Sequence, residues 1–163
     1  DLRGNVPTRL RKIAAEGIAG GILALAGLQR LGEGDRARSC LDPEVFVPAV
    51  GQGALAITAR VGDEDTAALI RPLESKDVRG AIDGERAFLA VLEGGCQTPM
   101  GCHGTVTGTT LRLRGFVASL DGSEFLSETL EGPIDDAKAL GSALGKSIQA
   151  AGGDRILAEV LHK

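Results

Sequence analysis

The chain has 163 residues, of which 43% are hydrophobic and 25% are charged, a balance typical of a globular protein with one domain or two small ones. It contains four phenylalanines and no tryptophan or tyrosine, which argues against a base-stacking platform for single-stranded nucleic acid. No apolar run approaches the length of a membrane span.

The net charge of −4 conceals a basic N-terminal region, where seven basic side chains face three acidic ones between positions 3 and 38. Such a surface suits a small polyanion, whereas the acidic remainder of the chain argues against nucleic acid as a partner. The N-terminus has no signal-peptide pattern and the three cysteines form an odd number. We therefore expect a cytoplasmic protein with free thiols.

The first residues alternate between a helical and an extended pattern. Asn5 or Thr8 can cap a helix that has Pro7 in its first turn and ends at Gly17. The wholly apolar run 21–27 is bounded by glycines and predicts a parallel strand buried on both faces. This alternation indicates an α/β fold.

The middle of the chain is interrupted by glycine and proline. Residues 28–41 predict a broken helical segment, 44–47 a short extended piece and 54–60 a second strand. Asp63 is placed to cap a helix that covers residues 64–73. The helix and strand patterns therefore continue to alternate through this region.

A clearer unit begins at residue 75. Apolar residues at helical spacing predict one long helix that ends at a glycine pair, with an ion pair between Arg79 and Asp83 on its outer side. Three alternating runs separated by hairpin signals then predict an antiparallel meander. The runs are 104–109, 111–120 and 124–130. A helix after Pro133 and a last one capped by Asp154 complete an α+β unit.

Cys96 follows the long helix directly, on a short loop between a glycine pair and Pro99. Glycine permits backbone angles closed to other residues and proline fixes the exit, so the thiol can be held on the loop as a nucleophile. The same residues also fit a plainer interpretation, in which Gly94 and Gly95 end the helix and Cys96 is an ordinary small apolar residue.

Three arginines are candidates for holding an acidic ligand, because a guanidinium group binds a carboxylate through two parallel hydrogen bonds. They are Arg3, Arg9 and Arg30. Arg3 precedes a glycine, and Arg30 follows the exit of the predicted buried strand, where α/β folds bind ligands. Each could equally be a solvated surface residue.

Three other groups of residues are weaker candidates for a functional site. Cys96 and Cys102 with His103 lack the spacing and the ligand number of a structural zinc site, so we predict no metal centre. His103 as a general base for Cys96 has no visible Asn or Asp to orient it. The turn Gly51-Gln52-Gly53 is not a phosphate loop, because no Lys-Ser/Thr follows it.

Several groups of residues form a recognisable series along the chain. They are Arg3-Gly4-Asn5-Val6 with Thr8-Arg9-Leu10, Leu23-Ala24 with Ala26-Gly27-Leu28 and Arg30-Leu31-Gly32, Pro48-Ala49-Val50-Gly51-Gln52-Gly53-Ala54, Glu85-Arg86-Ala87, and Leu92-Glu93-Gly94-Gly95-Cys96-Gln97 with Pro99 and Gly101. In sequence and order, this series resembles the porphobilinogen deaminases, also called hydroxymethylbilane synthases. The resemblance covers the whole chain and corresponds to roughly the C-terminal half of such an enzyme.

The resemblance implies that Cys96 carries a dipyrromethane cofactor through a thioether. Four porphobilinogen units are then added to it with loss of ammonia, as a step of tetrapyrrole (haem) biosynthesis. Every pyrrole brings an acetate and a propionate, which Arg3, Arg9 and Arg30 are expected to contact. Gln52 lies in a motif that lines the same cleft.

The catalytic aspartate of this family lies in the N-terminal half, so the resemblance implies that this chain holds no catalytic residue of its own. We expect something upstream to be missing and the chain alone to be inactive, with the N-terminal half, porphobilinogen and oligopyrroles as partners. The family is usually monomeric. A second hypothesis is a non-catalytic module of the same descent that binds tetrapyrroles or other polycarboxylates.

The resemblance also implies a domain organisation. Residues 1–53 would be part of a second, cleft-forming α/β domain, like one half of a periplasmic binding protein. Residues 54–74 would return to the first domain, and 75–163 would form the α+β cofactor-bearing domain, a three-stranded antiparallel sheet packed on helices. Two departures are Ala19, where an aspartate is usual, and Thr58, which replaces a common glutamate.

Overall fold

The computed structural model describes residues 2–93 and 98–161, which divide into two units, Asp1–Leu41 and Asp42–Lys163. Among the described residues, no helix is both long enough and apolar enough to cross a membrane.

The first helix, α1 (Val6–Ala15), begins at a side-chain cap. Oδ1 of Asn5 accepts a hydrogen bond from the Thr8 N–H at 3.0 Å, which satisfies one of the backbone donors that a helix start leaves open. Pro7 lies in the first turn and Gly17 follows the helix with a φ of 63°. The predicted helix is confirmed, and Asn5 is its cap.

The second helix, α2 (Leu25–Arg30), packs against α1. A Cβ placed on Gly27 would lie 3.6 Å from Cγ2 of Val6, and each of the two helices buries one leucine. A 3₁₀ turn, Gly34–Arg36, follows. The predicted broken helix at 28–41 therefore consists of the end of α2 and this separate turn.

The strand predicted at 21–27 is wrong. Residues 21–24 have no regular structure, and the first turn of α2 then donates hydrogen bonds to the carbonyl of Ala24. An extended strand satisfies its backbone groups only through a neighbouring strand, and the described part of the first unit contains none. The apolar run therefore satisfies part of its backbone locally, as a helix.

The strand predicted at 54–60 is likewise wrong for this structure. These residues have no regular structure, and Leu55 and Ile57 are 75% and 55% exposed. All strands that the structure describes pair with one another elsewhere in the second unit. The segment has a strand-like sequence without a strand to pair with.

The extended piece predicted at 44–47 is a turn. The carboxylate of Asp42 accepts a hydrogen bond from the Glu44 N–H at 2.9 Å, and the Asp42 carbonyl accepts from the next two N–H groups. Aspartate stabilises turns in this way, by binding its own backbone two residues on. A short apolar stretch between two prolines does not distinguish such a turn from an extended segment.

The predicted helix at 64–73 is confirmed. It consists of α3 (Glu64–Ile70) and a 3₁₀ turn, Arg71–Leu73. Oδ1 of Asp63 caps α3 by accepting a hydrogen bond from the Thr66 N–H at 3.0 Å.

The remainder of the second unit has one long helix, α4 (Lys76–Val91), followed by a sheet. Its strands are β1 (Met100–Thr107), β2 (Thr110–Ala118) and β3 (Phe125–Pro133). They are antiparallel in the order β1-β2-β3, with Cys102 opposite Gly115. The predicted meander is confirmed, although β1 begins earlier than its alternation suggested, and so is the ion pair of Arg79 with Asp83, at 3.7 Å.

Two helices complete the unit, α5 (Ala137–Ile148) and α6 (Asp154–Leu161). Between them Gly152 adopts a φ of 107°, a conformation that glycine tolerates and that breaks the helical path. Both helices agree with the sequence prediction, including the glycine pair that separates them.

One face of the sheet packs against α4 and α5 and forms the core. Its fully or almost fully buried apolar residues include Phe88, Leu111, Leu113, Val117, Leu144, Ile148 and Ile156. Only one of these is aromatic, so the core is held by interdigitated aliphatic side chains, as the composition indicated.

Helices α4 and α5 approach one another closely because glycine lines their contact. A Cβ on Gly141 would lie 2.0 Å from the carbonyl oxygen of Gly84, and one on Gly145 would lie 2.8 Å from Cβ of Val91. The first neighbour is backbone, which cannot move without shifting the helix.

We predict that Gly141→Ala lowers the free energy of unfolding by about 1–3 kcal/mol, because the added methyl group forces the two helices apart. Urea unfolding followed by circular dichroism measures this change. Gly132→Ala on β3 is the matched control, since its Cβ would meet only the flexible end of Leu140 at 3.3 Å and should cost less. Equal losses in both variants would contradict the close helix contact.

Candidate functional site

Two residues near Cys96 in sequence belong to the core of the second unit. Residues 94–97 lie outside the described residues, so the predicted role of Cys96 stays a prediction. Before them, Leu92 is 6% exposed at the end of α4, and after them Met100 is 8% exposed at the start of β1. The described chain is therefore buried on both sides of this segment.

Helix α4 ends before the glycine pair. Its last residue is Val91, and Glu93 adopts a left-handed φ of 50°. This conformation commonly ends a helix but costs a non-glycine residue about 1–2 kcal/mol. The helix therefore ends before Gly94, and both interpretations of Cys96 stay predictions.

Cys102 is a core residue. It is fully buried on β1, and burial, together with the nearby Glu85 carboxylate, raises the pKa of its thiol far above the ordinary value. The thiolate is the nucleophilic form of cysteine, so this thiol is inert at neutral pH. Cys40, by contrast, is exposed in the first unit.

Glu85 is a charged residue in the middle of the α4 face that packs on the sheet, with only 3% of its surface exposed. Its Oε2 accepts a hydrogen bond from the Gly51 N–H at 2.8 Å, and its Oε1 accepts one from the Gly104 N–H at 2.9 Å. Nδ1 of His103 lies 4.0 Å from the same Oε1. One carboxylate thus joins α4, β1 and the turn that contains Gln52.

Burial raises the pKa of Glu85, and the two N–H donors and His103 oppose that rise only in part. When folding raises the pKa of an acidic group, the free energy of unfolding falls as the pH rises from the group's unfolded-state pKa through its folded-state pKa. Ionisation of this carboxyl group therefore costs stability as the pH rises, which directs attention to what its two hydrogen bonds accomplish.

Residues 44–53, here called the strap, run from Arg112 on β2 and Gly101 on β1 to Glu85 on α4. Both terminal nitrogens of Arg112 donate to the carboxylate of Glu44, at 2.7 and 2.9 Å. Further along, a Cβ on Gly101 would lie 2.5 Å from the carbonyl oxygen of Pro48, so only glycine permits this approach. The strap is therefore tied to β2 and packed on β1.

The arginines predicted to bind a ligand all lie in the first unit. Arg3 is exposed just before α1, and Nε of Arg9 on α1 donates to the carbonyl of Gly4 at 2.7 Å. Arg30 is exposed as the last residue of α2. Arg3 and Arg9 therefore share the start of α1, and their ligand contacts stay predictions.

Within the described part of the chain, Arg3, Arg9 and Arg30 share their lack of a carboxylate partner with Arg11 and Arg38 of the same unit. Among the described residues, none of the three forms an ion pair, whereas Arg36 in the same unit pairs with Glu33 at 3.5 Å. An exposed guanidinium group without a carboxylate partner keeps its donors for a ligand.

Gln52 is exposed in a turn whose two glycines both have a φ of 80°. The residue that sequence reasoning missed is Glu85, which appeared only within the Glu85-Arg86-Ala87 motif. A signal was present, because Glu85 falls at helical spacing among the apolar residues of α4, where a charge needs specific partners. Those partners are backbone N–H groups, which a sequence pattern does not display.

Comparison with known proteins assigns both parts of the chain to one family. Residues 1–68 match the family model "Porphobilinogen deaminase, dipyromethane cofactor binding domain", and residues 80–150 match "Porphobilinogen deaminase, C-terminal domain". The two matched segments follow one another in the order that the sequence motifs suggested.

Curated relatives agree with this result. The porphobilinogen deaminase of Syntrophotalea carbinolica is 48% identical over 157 residues, which is 96% of this chain and 50% of that protein. The porphobilinogen deaminase of Methylobacillus flagellatus is 44% identical over 162 residues, or 99% of this chain and 52% of that protein. The chain spans about half the length of the curated relatives it matches.

The ion pair between Arg112 and Glu44 leads to a prediction about how stability depends on pH. The hydrogen bonds from Arg112, and then its charge and those of Arg114 and His103, lower the pKa of Glu44. Its stabilising contribution is therefore present above the unfolded-state pKa and is lost as the pH falls through the lowered folded-state pKa. In Arg112→Lys the Glu44 pKa should rise towards its ordinary value, because lysine cannot form two parallel bonds.

A carbon-detected NMR titration of the Glu44 carboxyl group measures this shift, and urea unfolding at neutral and acidic pH follows its effect on stability. Arg79→Lys is the matched control, since Arg79 pairs with Glu74 and Asp83 on α4 and not with the strap. An unchanged Glu44 pKa in Arg112→Lys would show that the ion pair does not hold the strap.

Proposed function

Because this chain belongs to the porphobilinogen deaminase family, we propose that it is the C-terminal portion of a transferase that assembles four porphobilinogen units into hydroxymethylbilane on a cysteine-linked dipyrromethane. The observation that carries the proposal is the ordered match of both parts of the chain to the two family models, with Cys96 inside the second match.

The donor set fits a dipyrromethane. This cofactor would supply the pyrrole to which the substrate units are joined. Cys96 would hold it through a thioether. Cys102, the other thiol nearby in sequence that could attach the cofactor, is buried and inert. The match of residues 1–68 to a domain named for binding this cofactor supports Arg3, Arg9 and Arg30 as its carboxylate contacts.

The residues of this chain would act by binding and orientation. Exposed guanidinium groups at the start of α1 and the end of α2 would pair with acetate and propionate groups, a charge-assisted bond worth about 1.5–3 kcal/mol each. Nε of Arg9 is already bound to the Gly4 carbonyl, which orients its remaining donors before a ligand arrives. Gln52 would be a weaker substrate-binding residue that supplies a neutral hydrogen-bonding group.

Proton transfer is assigned to the other half of the enzyme. The carboxylate that is buried here, Glu85, has both oxygens bound to backbone N–H groups and is not available to protonate a leaving amine. We therefore propose that the chain is active only together with an N-terminal half, and that its setting is the cytoplasm.

The proposed domain organisation keeps the boundaries expected from the resemblance. Residues 1–53 would belong to a cleft-forming domain like half of a periplasmic binding protein, and 75–163 would bear the cofactor. Residues 54–74 would return to the first domain. The exposure of Leu55 and Ile57 supports that return, because pairing with a sheet of the other half would cover them.

A non-catalytic module that binds polycarboxylates is the second candidate, supported by the absence of a carboxylate partner for Arg3, Arg9 and Arg30 among the described residues. It requires the same arginines but no covalent bond to Cys96. The two candidates therefore differ in whether the purified chain gains mass from porphobilinogen.

We predict that the chain acquires a covalent dipyrromethane when it is produced with the N-terminal half of the Syntrophotalea carbinolica relative and supplied with porphobilinogen. Intact-mass spectrometry and Ehrlich's reagent detect the attachment. Cys96→Ser should abolish it and Cys102→Ser should not, since Cys102 is buried. Equal loss in both variants would mean that the wrong thiol was chosen, and no attachment in the wild type would favour the binding module.

We also predict that Arg30→Leu weakens binding of a soluble polycarboxylate, for which uroporphyrin I is a suitable probe, by roughly 10- to 100-fold, because one charge-assisted contact is lost. Fluorescence titration gives the dissociation constants. Arg36→Leu is the control, since Arg36 is already paired with Glu33. The same loss in Arg36→Leu would show that only general charge attracts the probe.

A further inference from the structure

The strap is held at two places, and Gln52 lies nearest to the second. The first is the ion pair of Glu44 with Arg112 on β2, at 2.7 and 2.9 Å. The second is the hydrogen bond from the Gly51 N–H to Glu85, at 2.8 Å. Gln52 follows Gly51 directly, so Glu85 fixes the backbone next to Gln52 across a sequence distance of more than thirty residues.

The chemistry of Glu85 is specific to this contact. Each carboxylate oxygen accepts one backbone N–H, and the two donors belong to the strap and to β1. An amide side chain in the same place would retain one acceptor and present one donor to an N–H group, and an apolar side chain would leave both N–H groups without a partner. A buried carboxylate can therefore join these two segments where other side chains cannot.

Glycine at three positions makes this junction accessible. A Cβ on Gly104 would lie 2.9 Å from Cβ of Ala81 on α4, so the bare backbone brings the Gly104 N–H within reach of the carboxylate. Gly101 admits the Pro48 carbonyl in the same way, and Gly51 has a φ of 80°. Glycine therefore lies at the positions where the strap, β1 and α4 meet.

This junction lies beside the start of β1. The strap contacts β1 at Gly101, immediately after the buried Met100. Val50 also packs against that core. The strap therefore brings the Gln52 turn to the strand that follows Cys96.

We infer that Glu85 is a positioning residue that holds the Gly51-Gln52-Gly53 turn against β1, so that Gln52 meets its oligopyrrole ligand. The role of Gln52 rests on the proposed function. The role of Glu85 in holding the turn rests on the geometry of the second unit alone. The two parts are therefore tested by separate measurements.

The first measurement is amide hydrogen exchange by NMR on the 163-residue chain. In Glu85→Gln, one of the two amides, Gly51 or Gly104, should exchange about tenfold faster while the other keeps its protection, because one acceptor remains. In Glu85→Ala both should exchange faster. Asp83→Asn is the control on the same helix, since Asp83 pairs with Arg79 outside the junction.

Unchanged protection of Gly51 in both Glu85 variants, or equal acceleration in Asp83→Asn, would overturn the holding of the turn. If Glu85→Ala does not fold, the selective loss in Glu85→Gln still decides the question, because a global loss of structure would accelerate exchange at all amides alike.

The second measurement is steady-state kinetics of the chain combined with the N-terminal half of the relative. Glu85→Gln and Gln52→Ala should each raise the KM for porphobilinogen about tenfold with a smaller change in kcat, because a binding contact is misplaced or lost. The double variant should be no worse than the more severe single variant, since both changes remove one contact.

Additive effects on KM, or a loss confined to kcat, would overturn the action of Glu85 through Gln52. A wild-type combination that binds no porphobilinogen would overturn the proposed function and the role of Gln52 together. The exchange result for Gly51 would then stand as the test of the turn alone, so the two failures are distinguishable.

Discussion

The packing of α4 on the sheet is the interaction on which the second unit depends. One face of this helix places Phe88 in the core, sets Gly84 against α5 and presents Glu85 to β1 and the strap. Apolar burial supplies the gain in free energy, while glycine sets how closely the backbones approach. The carboxylate then joins segments that no continuous secondary structure connects. Helix, sheet and strap are in this sense one assembly.

Burial separates the chemical roles of similar residues within that assembly. Cys102 is close in sequence to Cys96, but its place on the inner face of β1 raises the pKa of its thiol and removes it from chemistry. Glu44 and Glu85 both hold the strap, yet the half-buried Glu44 has its pKa lowered by Arg112 whereas the buried Glu85 has its pKa raised by burial. The environment of each group sets its pKa, and with it whether the group can react or only holds the structure together.

The first unit and the return segment follow a different constraint. Their apolar runs at 21–27 and 54–60 have the composition of buried strands, but strands require neighbours for their backbone N–H and carbonyl groups. The described residues supply such neighbours only within the β1-β2-β3 sheet. One run therefore becomes partly helical, and the other stays irregular with Leu55 and Ile57 exposed.

The sequence by itself determined the features that depend on neighbours a few residues apart. The caps at Asn5 and Asp63 bind N–H groups three residues on, and the hairpins of the meander follow from their turn residues and two-residue periodicity. The order of the motifs likewise identified the family and pointed to Cys96. Only the tertiary structure decided which predicted strands form, that Cys102 is buried, and that Glu85 reaches Gly51. Strand pairing, burial and long-range hydrogen bonds depend on residues far apart in the chain, and their distances exist only once the chain has folded.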